Sequence, residues 1–332
     1  MLKYIARRVF VMIPTLLGIS LLSFLIISLP PGSYLEAYIA QVQATGEDVT
    51  QEEIDQLEAR FGLDKPVPVQ YLVWMKNILT KGDFGISFDW GRPVAELIWD
   101  RLGLTVALSF STMILTWSLA FPIAVFSAVK QYSIGDYIVT FLGFIGLATP
   151  NFLLALILMY LSFKYLDTDV GGLFSTEYMG QAWTWAKVVD FLKHVWVPAV
   201  ILGVGGTAGL IRTVRANLLD ELHKPYVRTA RSKGLPEARL LAKYPLRLAL
   251  NPFFSTVGWS LRGLVSGATI VSVVLSLPTT GPMLLRALKA QDMYLAGSFI
   301  MLLSSMTVIG TLVSDIILAA VDPRIRLGGT EG

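Results

Sequence analysis

Few residues in this chain could do covalent or acid–base chemistry, and their spacing argues against both. The only histidines, His194 and His223, stand at opposite ends of one apolar stretch, so neither a zinc site nor an imidazole relay follows from them. Cysteine is absent, which removes a disulfide framework, a thiolate metal site and a cysteine nucleophile. No Gly-x-x-x-x-Gly-Lys followed by Ser or Thr occurs, no dinucleotide fingerprint, and no serine in a Gly-x-Ser-x-Gly setting. No catalytic residue and no metal ligand set is therefore expected. What remains is a small set of polar groups inside apolar stretches. Thr269, Ser272 and Ser276 fall at i, i+3 and i+7, one stripe on a helix, which serves either close packing or the lining of a cavity. Asn151 follows Thr149-Pro150; the proline removes a backbone donor and should kink the helix, and the amide then faces either a packed neighbour or water. Arg262 and Asp315 are costly to leave unpaired among apolar residues. They form an ion pair, or else the arginine snorkels and the aspartate reaches water.

The elements that must carry these residues are membrane spans. Hydrophobic residues make up 54% of 332, charged residues 15%, and the mean hydropathy is +0.61, more than a water-soluble domain of this size needs. A hydrocarbon layer about 30 Å thick takes about 20 apolar residues of helix. Six stretches qualify, 9–29, 104–129, 138–163, 195–211, 253–277 and 295–321. Lys3, Arg7 and Arg8 before the first resemble the start of a signal peptide, but the stretch is too long for one and no small-x-small site follows, so it reads as an uncleaved first span. The fourth is short and carries Gly203, Gly205, Gly206 and Gly209, as suits a helix pressed against neighbours. If spans five and six both meet the inner face near their ends at 253 and 321, Arg262 and Asp315 lie at about the same depth, roughly 9 to 14 Å in.

Charge gives the orientation. Lys3, Arg7, Arg8, Lys130, nine basic residues between Arg212 and Arg247, Arg324 and Arg326 fall on one side if the N-terminus is inside. Segment 31–101 is instead acidic, with Glu47, Asp48, Glu52, Glu53, Asp55 and Glu58. Both termini are then cytoplasmic by the positive-inside rule. The outer segment reads as a small folded cap: Thr50 and Glu53 make a capping box, Ile54, Leu57 and Phe61 an apolar face, Gly62 and Pro66 a stop, and 69–79 a second helix with Leu72, Met75 and Leu79 on one side.

Between spans four and five runs 212–250, too long and too basic for a plain connection. Gly234-Leu235-Pro236 breaks it into two helices. On charge alone it would be a basic amphipathic helix held to anionic lipid. The order of residues adds more: Tyr226-Val227-Arg228-Thr229-Ala230-Arg231-Ser232-Lys233-Gly234 resembles the coupling-loop motif of binding-protein-dependent ABC importer permeases. Arg228 and Thr229 stand where the general pattern has Glu and Ala, whereas Ala230 and Gly234 match, in a form similar to the dipeptide and oligopeptide permease branch. Gly82-Asp83-Phe84-Gly85-x-Ser87 and the ending Asp322-Pro323-Arg324-Ile325-Arg326 add to the likeness.

That resemblance implies an all-α fold of six transmembrane helices, the type I importer permease fold, divided into a first span at 1–30, a periplasmic segment at 31–101, a permease core at 102–321 with the coupling loop 212–250, and a tail at 322–332. It implies half of a translocation pathway, completed by a second homologous permease, two ATPase subunits that hold ATP and Mg, and a periplasmic or extracellular solute-binding protein, in an inner membrane and without nucleic acid. This chain would bind no cofactor. Tyr226, Arg228, Thr229, Ala230, Arg231, Lys233, Gly234, Leu235 and Pro236 would dock the ATPase, with small Ala230 permitting close approach and Gly234 setting the bend. Peptides are the default solute of the branch; oligosaccharides stay open because Trp183, Trp185 and Trp196 gather in one outer segment, although tryptophan at an interface is usually an anchor. A channel would need charged rings or a selectivity sequence in the spans, and an ion-driven carrier a midplane carboxylate. Asp315 is the one intramembrane carboxylate and is not central.

Overall fold

The structure, a computed structural model, describes residues 2–28, 39, 50–61, 64–87, 89–166, 171–250 and 268–321. Among them the regular structure is helical, joined by turns and loops, with one isolated pairing of Ile86 with Pro93. Four helices are long and apolar enough to cross a membrane: α1 (Leu2–Ser28), α4 (Val94–Val129), α7 (Trp185–Leu222) and α13 (Met293–Val321). A fifth crossing is available if α5 (Ile134–Ala148) and α6 (Asn151–Leu166) count as one, although they meet at 101°. The kink expected at Pro150 is thus a full break. Thr149 ends α5 with its N–H on the Ile145 carbonyl at 2.9 Å, and Pro150 opens α6, its carbonyl accepting from Leu153 at 3.0 Å. Asn151 is the first residue of α6 and is half-buried.

Several expected boundaries move. The fourth span is no short 195–211 stretch: α7 runs 38 residues, about 57 Å of helix, because nothing at Ile211 stops it. The second span likewise begins ten residues early, at Val94. Most of the fifth expected span lies outside the described residues; its end is α11 (Ala268–Val274). There the serine stripe needs correction. Ser276 is not on the helix but past its end, with φ 52°, while the Leu277 and Ser276 N–H groups bond the Ser272 and Val273 carbonyls at 2.7 and 3.2 Å. That is a left-handed helix stop with a serine in the glycine seat, and Pro278 follows it. Thr269 and Ser272 alone share a helical face; Thr269 is half-buried, Ser272 is buried and Ser276 is exposed.

The described chain forms two compact units. One comprises residues 1–9, 105–278 and 309–332; the other comprises 10–104 and 279–308. In the second unit, α2 (Gln51–Phe61) follows Thr50, and α3 (Val67–Lys81) starts after Pro66 and stops at Gly82 in the left-handed conformation, φ 65°. The buried face of α3 differs from the expected one: Leu72 and Leu79 are exposed, and Trp74 is buried against Phe24 of α1 and donates to the Phe84 carbonyl at 3.5 Å. α12 (Thr280–Lys289) occupies what would be a plain connection. Asp292, buried just before α13, accepts from the Ser87 hydroxyl, from Asp89 N at 3.2 Å and from Leu295 N at 3.2 Å. Burial pushes its carboxyl above the ordinary range despite these donors. Arg286 of α12 grips Asp89 at 2.6 Å and covers the Trp90 ring at 4.4 Å. The Gly82-to-Ser87 motif therefore has a structural cause within the second unit: a glycine helix stop, a glycine under Tyr294 and a serine on a buried acid.

In the first unit α7 is the central post. α5, α6, α10 (Pro245–Ala249) and α11 pack on it. Its glycines do not act alike. A Cβ on Gly203 would stand 2.8 Å from the Thr116 hydroxyl of α4, so that glycine permits the close crossing, whereas Gly205 and Gly209 have open space around them. On the facing side Gly146 of α5 lies under Val204.

Candidate ATPase-coupling loop

The candidate loop begins as a continuation of α7. Residues 212–222, expected outside the span as the first part of the loop, remain in α7, and His223 caps its end. Lys224 then sits extended and Pro225 opens α8 (Pro225–Ser232), where a missing N–H costs nothing. α8 ends at Gly234, φ 75°, with Gly234 N on the Arg231 carbonyl at 3.0 Å and Leu235 N on the Ala230 carbonyl at 3.4 Å. This is the paired 5→2 and 6→1 pattern of a left-handed cap. Pro236 then precedes α9 (Glu237–Lys243), and α10 follows Tyr244.

Packing fixes the hairpin between α8 and α9. Val227, Ala230 and Leu240 are buried together, with Leu235 and Tyr244 against them. The hydrophobic contact that usually accompanies such a cap is thus present, between Leu235 and the last turn of α8. It also gives Ala230 a role inside the chain: its small side chain lets α9 approach α8. Arg231 ties the two helices from outside, donating to both Glu237 oxygens at 3.1 and 2.5 Å. That hydrogen bond holds the Glu237 carboxyl below its ordinary range. Tyr226 donates to the Glu221 carboxylate at the end of α7, its ring 6.3 Å from that of Tyr244; burial, then Glu221, pushes its hydroxyl up to about 12. Thr229 bonds back to the Pro225 carbonyl at 3.0 Å.

What stays outside is a basic face. Arg228, Thr229, Ser232 and Lys233 of the α8 segment are exposed, as are Gly234 and Pro236. The loop is anchored at its far end too. Ala249 is buried with Ala128 of α4 and Leu218 of α7, and Leu250 packs against Ala120, Ala124 and Val214. The helical hairpin is thus packed at both ends, on α7 and α4, and presents a cationic outer face.

The polar residues expected within the spans are not brought together with this loop. Asp315 pairs with Arg8 Nη1 at 2.9 Å, tying the start of α1 to the end of α13. Arg262, its expected partner, lies outside the described residues. Arg8 was visible in sequence only as an orienting charge, since pairing across some three hundred positions leaves no local pattern. His194 Nδ1 meets its own helix at the Asp190 carbonyl, 2.8 Å away, and Asp190 accepts from Ser175 N and Oγ at 2.8 and 2.6 Å. Among the described residues no acidic or histidine cluster could hold a metal ion.

The described chain thus combines apolar, span-length helices around a central post with a basic helical hairpin. The chain belongs to the family of binding-protein-dependent transport system inner membrane components, which matches residues 120–327, with the N-terminal component of the same systems matching 1–109. It is a multi-pass inner-membrane permease subunit. Among similar proteins, the oligopeptide transport system permease protein AppB of Bacillus subtilis (strain 168) is 36% identical over 330 residues, covering 98% of this chain and all of the relative. The dipeptide transport system permease protein DppB of Escherichia coli (strain K12) is 31% identical over 345 residues, covering 98% and 99%. The oligopeptide transport system permease protein OppB of Mycobacterium bovis is 30% identical over 334 residues, covering 98% and all of the relative.

Proposed function

We propose that this chain forms half of the translocation pathway of an ATP-driven peptide importer, with the α8–α9 hairpin as the lever on which an ATPase subunit acts. The observation that carries the reading is the continuity of α7 into that hairpin. One 38-residue helix joins the apolar layer to a capped, basic helical surface. The peptide assignment rests on relatives named as dipeptide and oligopeptide permeases that match the chain nearly end to end. Trp183, Trp185 and Trp196 are all exposed, as interface anchors are.

In this reading six crossings place both termini in the cytoplasm and residues 31–101 outside, over the pore mouth. A second, homologous permease supplies the other half of the pathway, two ATPase subunits hydrolyse ATP with Mg, and a separate binding protein delivers solute. Asn151, Thr269 and Ser272 are pathway candidates, with Ser276 at an exposed turn. Hydrolysis falls to the partners because this sequence has no phosphate-cradling loop. The test is purification of the tagged chain from its native operon followed by intact-complex mass measurement and uptake in proteoliposomes. One copy of this chain, one of a different permease and two ATPases, importing peptide only with ATP, is the expected result. A transporting homo-oligomer without an ATPase would overturn the proposal.

A further inference from the structure

At the inner end of α4, α5 and α7 one buried acid is gripped from three sides. Asp136, on the first turn of α5, is only 4% exposed at its side chain. Arg215 of α7 reaches it with a fork, Nε to Oδ1 at 3.0 Å and Nη2 to Oδ2 at 2.8 Å. The Ser127 hydroxyl, two residues before the end of α4, donates to Oδ1 and itself accepts from Arg215 Nε at 3.0 Å. The backbone N–H of Tyr132 completes the set at 2.9 Å, and this holds Tyr132 in the left-handed turn, φ 63°, that joins α4 to α5. Ser133 caps α5 by accepting from Asp136 N at 3.2 Å.

The position of this cluster matters. Val214 and Leu218, one residue before Arg215 and three after it, are both fully buried against α4 and, through Ala249 and Leu250, against the returning end of the coupling loop. From Arg215 the helix runs only about 10 Å further to Leu222 before α8 begins. Both ends of the described loop therefore rest on the patch that Asp136 ties together. Moving α7 without α4 and α5 would tear a bidentate, charge-assisted pair out of a buried site, which is costly because each ion would be left unpaired.

We propose that Asp136, Arg215 and Ser127 are positioning residues for energy coupling: they lock α7 to α4 and α5, so that displacement of the α8–α9 hairpin moves all three helices as one piece. This rests on the reading of the hairpin as an ATPase lever. Shape packing alone would let α7 slide or rotate against its alanine neighbours, whereas the guanidinium fork fixes both its rotation and its depth. Arg215→Lys keeps the charge but loses the fork, and Asp136→Asn keeps the shape but loses the charge and puts a donor against donors. Ser127→Ala removes one donor and leaves the pair.

The test uses the complete complex in proteoliposomes and reads three quantities for each variant: the amount assembled, the ATPase rate, and peptide imported per ATP hydrolysed. Coupling free energies between linked sites correspond to about 5- to 150-fold. Import per ATP is therefore expected to fall about fivefold or more in Asp136→Asn and Arg215→Lys, with ATPase retained, and by less in Ser127→Ala. A purely structural role would lower assembly and both rates together and leave the ratio at the wild-type value, which would overturn the proposal. Because the chain has no native cysteine, spin labels at R239C and Y137C give an independent measure in the same complex. Their separation should stay fixed between nucleotide states in the wild type and spread in Asp136→Asn. A separation that already changes in the wild type would overturn the lock even if a variant fails to assemble. Absence of ATP-dependent import in the wild-type complex would instead count against the importer reading itself.

Discussion

Gly234 stands where only one residue type fits without cost. Its φ of 75° puts it in the left-handed region, and the space where a Cβ would go is open, so any penalty for substitution comes from the backbone and not from a clash. A β-branched residue there costs about 1–2 kcal/mol and asparagine less. Gly234→Val is therefore expected to loosen the turn between α8 and α9 and to let ATP hydrolysis run without import, while Gly234→Asn stays close to wild type. Solute-stimulated ATPase against uptake in reconstituted complexes measures both, and equal coupling in the two variants would remove the turn from the mechanism. The glycine and Ala230 were legible in sequence because a helix stop is a local event that leaves a local signature. What Ala230 touches was not. Its neighbours Val227, Leu240 and Leu235 show that the small residue serves the hairpin's own packing. For Asp136 and Arg215 nothing in their spacing distinguishes a solvated charge from a buried one.

Among the elements, α7 departs most from what hydropathy suggests. A hydropathy window ends a span where arginines begin, at Arg212, yet arginine and leucine are both good helix formers and the helix has no reason to end there. The apolar layer and the helix thus have different lengths, and the difference is the arm that carries the hairpin. α1 shows the same effect at its start: Lys3, Arg7 and Arg8 precede the apolar run but lie within the helix Leu2–Ser28. Arg8 then reaches Asp315 of α13. In thermal unfolding of the detergent-solubilised protein, Arg8→Ala and Asp315→Ala should each destabilise, and the double variant should lose less than their sum. With Arg8 about half exposed, solvent screening keeps the coupling to about 1 kcal/mol or less. Strict additivity would mean the contact carries no energy, and coupling of Asp315 to Arg262 in the same experiment would point to a different partner.

For the whole molecule the open quantity is how often the chain crosses. Four long helices and one broken pair supply up to five crossings among the described residues, and an even number is required if both ends share a side. The proposed sixth crossing uses residues 253–277. Its consequence is measurable: epitope tags at either terminus should be reached from the cytoplasmic face of inverted vesicles and not from right-side-out ones, whereas a tag inserted at residue 45 should behave oppositely. Tags at the two termini that differ in access would require an odd number of crossings. The bent pair α5–α6 is the element on which such a miscount would rest, since two short helices at 101° can cross together or turn back.

Composition and order alone determined that the chain is a helical membrane protein, where its apolar stretches lie, that it holds no nucleotide loop, and that a basic helix-turn-helix with the coupling pattern follows the fourth stretch. Those properties are written locally, in hydropathy over about 20 residues or in a glycine after a helix. Only the tertiary structure decided which charges meet: Arg8 with Asp315, Arg215 with Asp136 and Ser127, and Arg286 with Asp89. Only it decided that Ser276 leaves the helix and that Leu72 faces outward while Trp74 is buried. The reason is physical: burial and ion pairing depend on which surfaces close on one another, and residues far apart in the chain meet there without leaving any trace in their spacing.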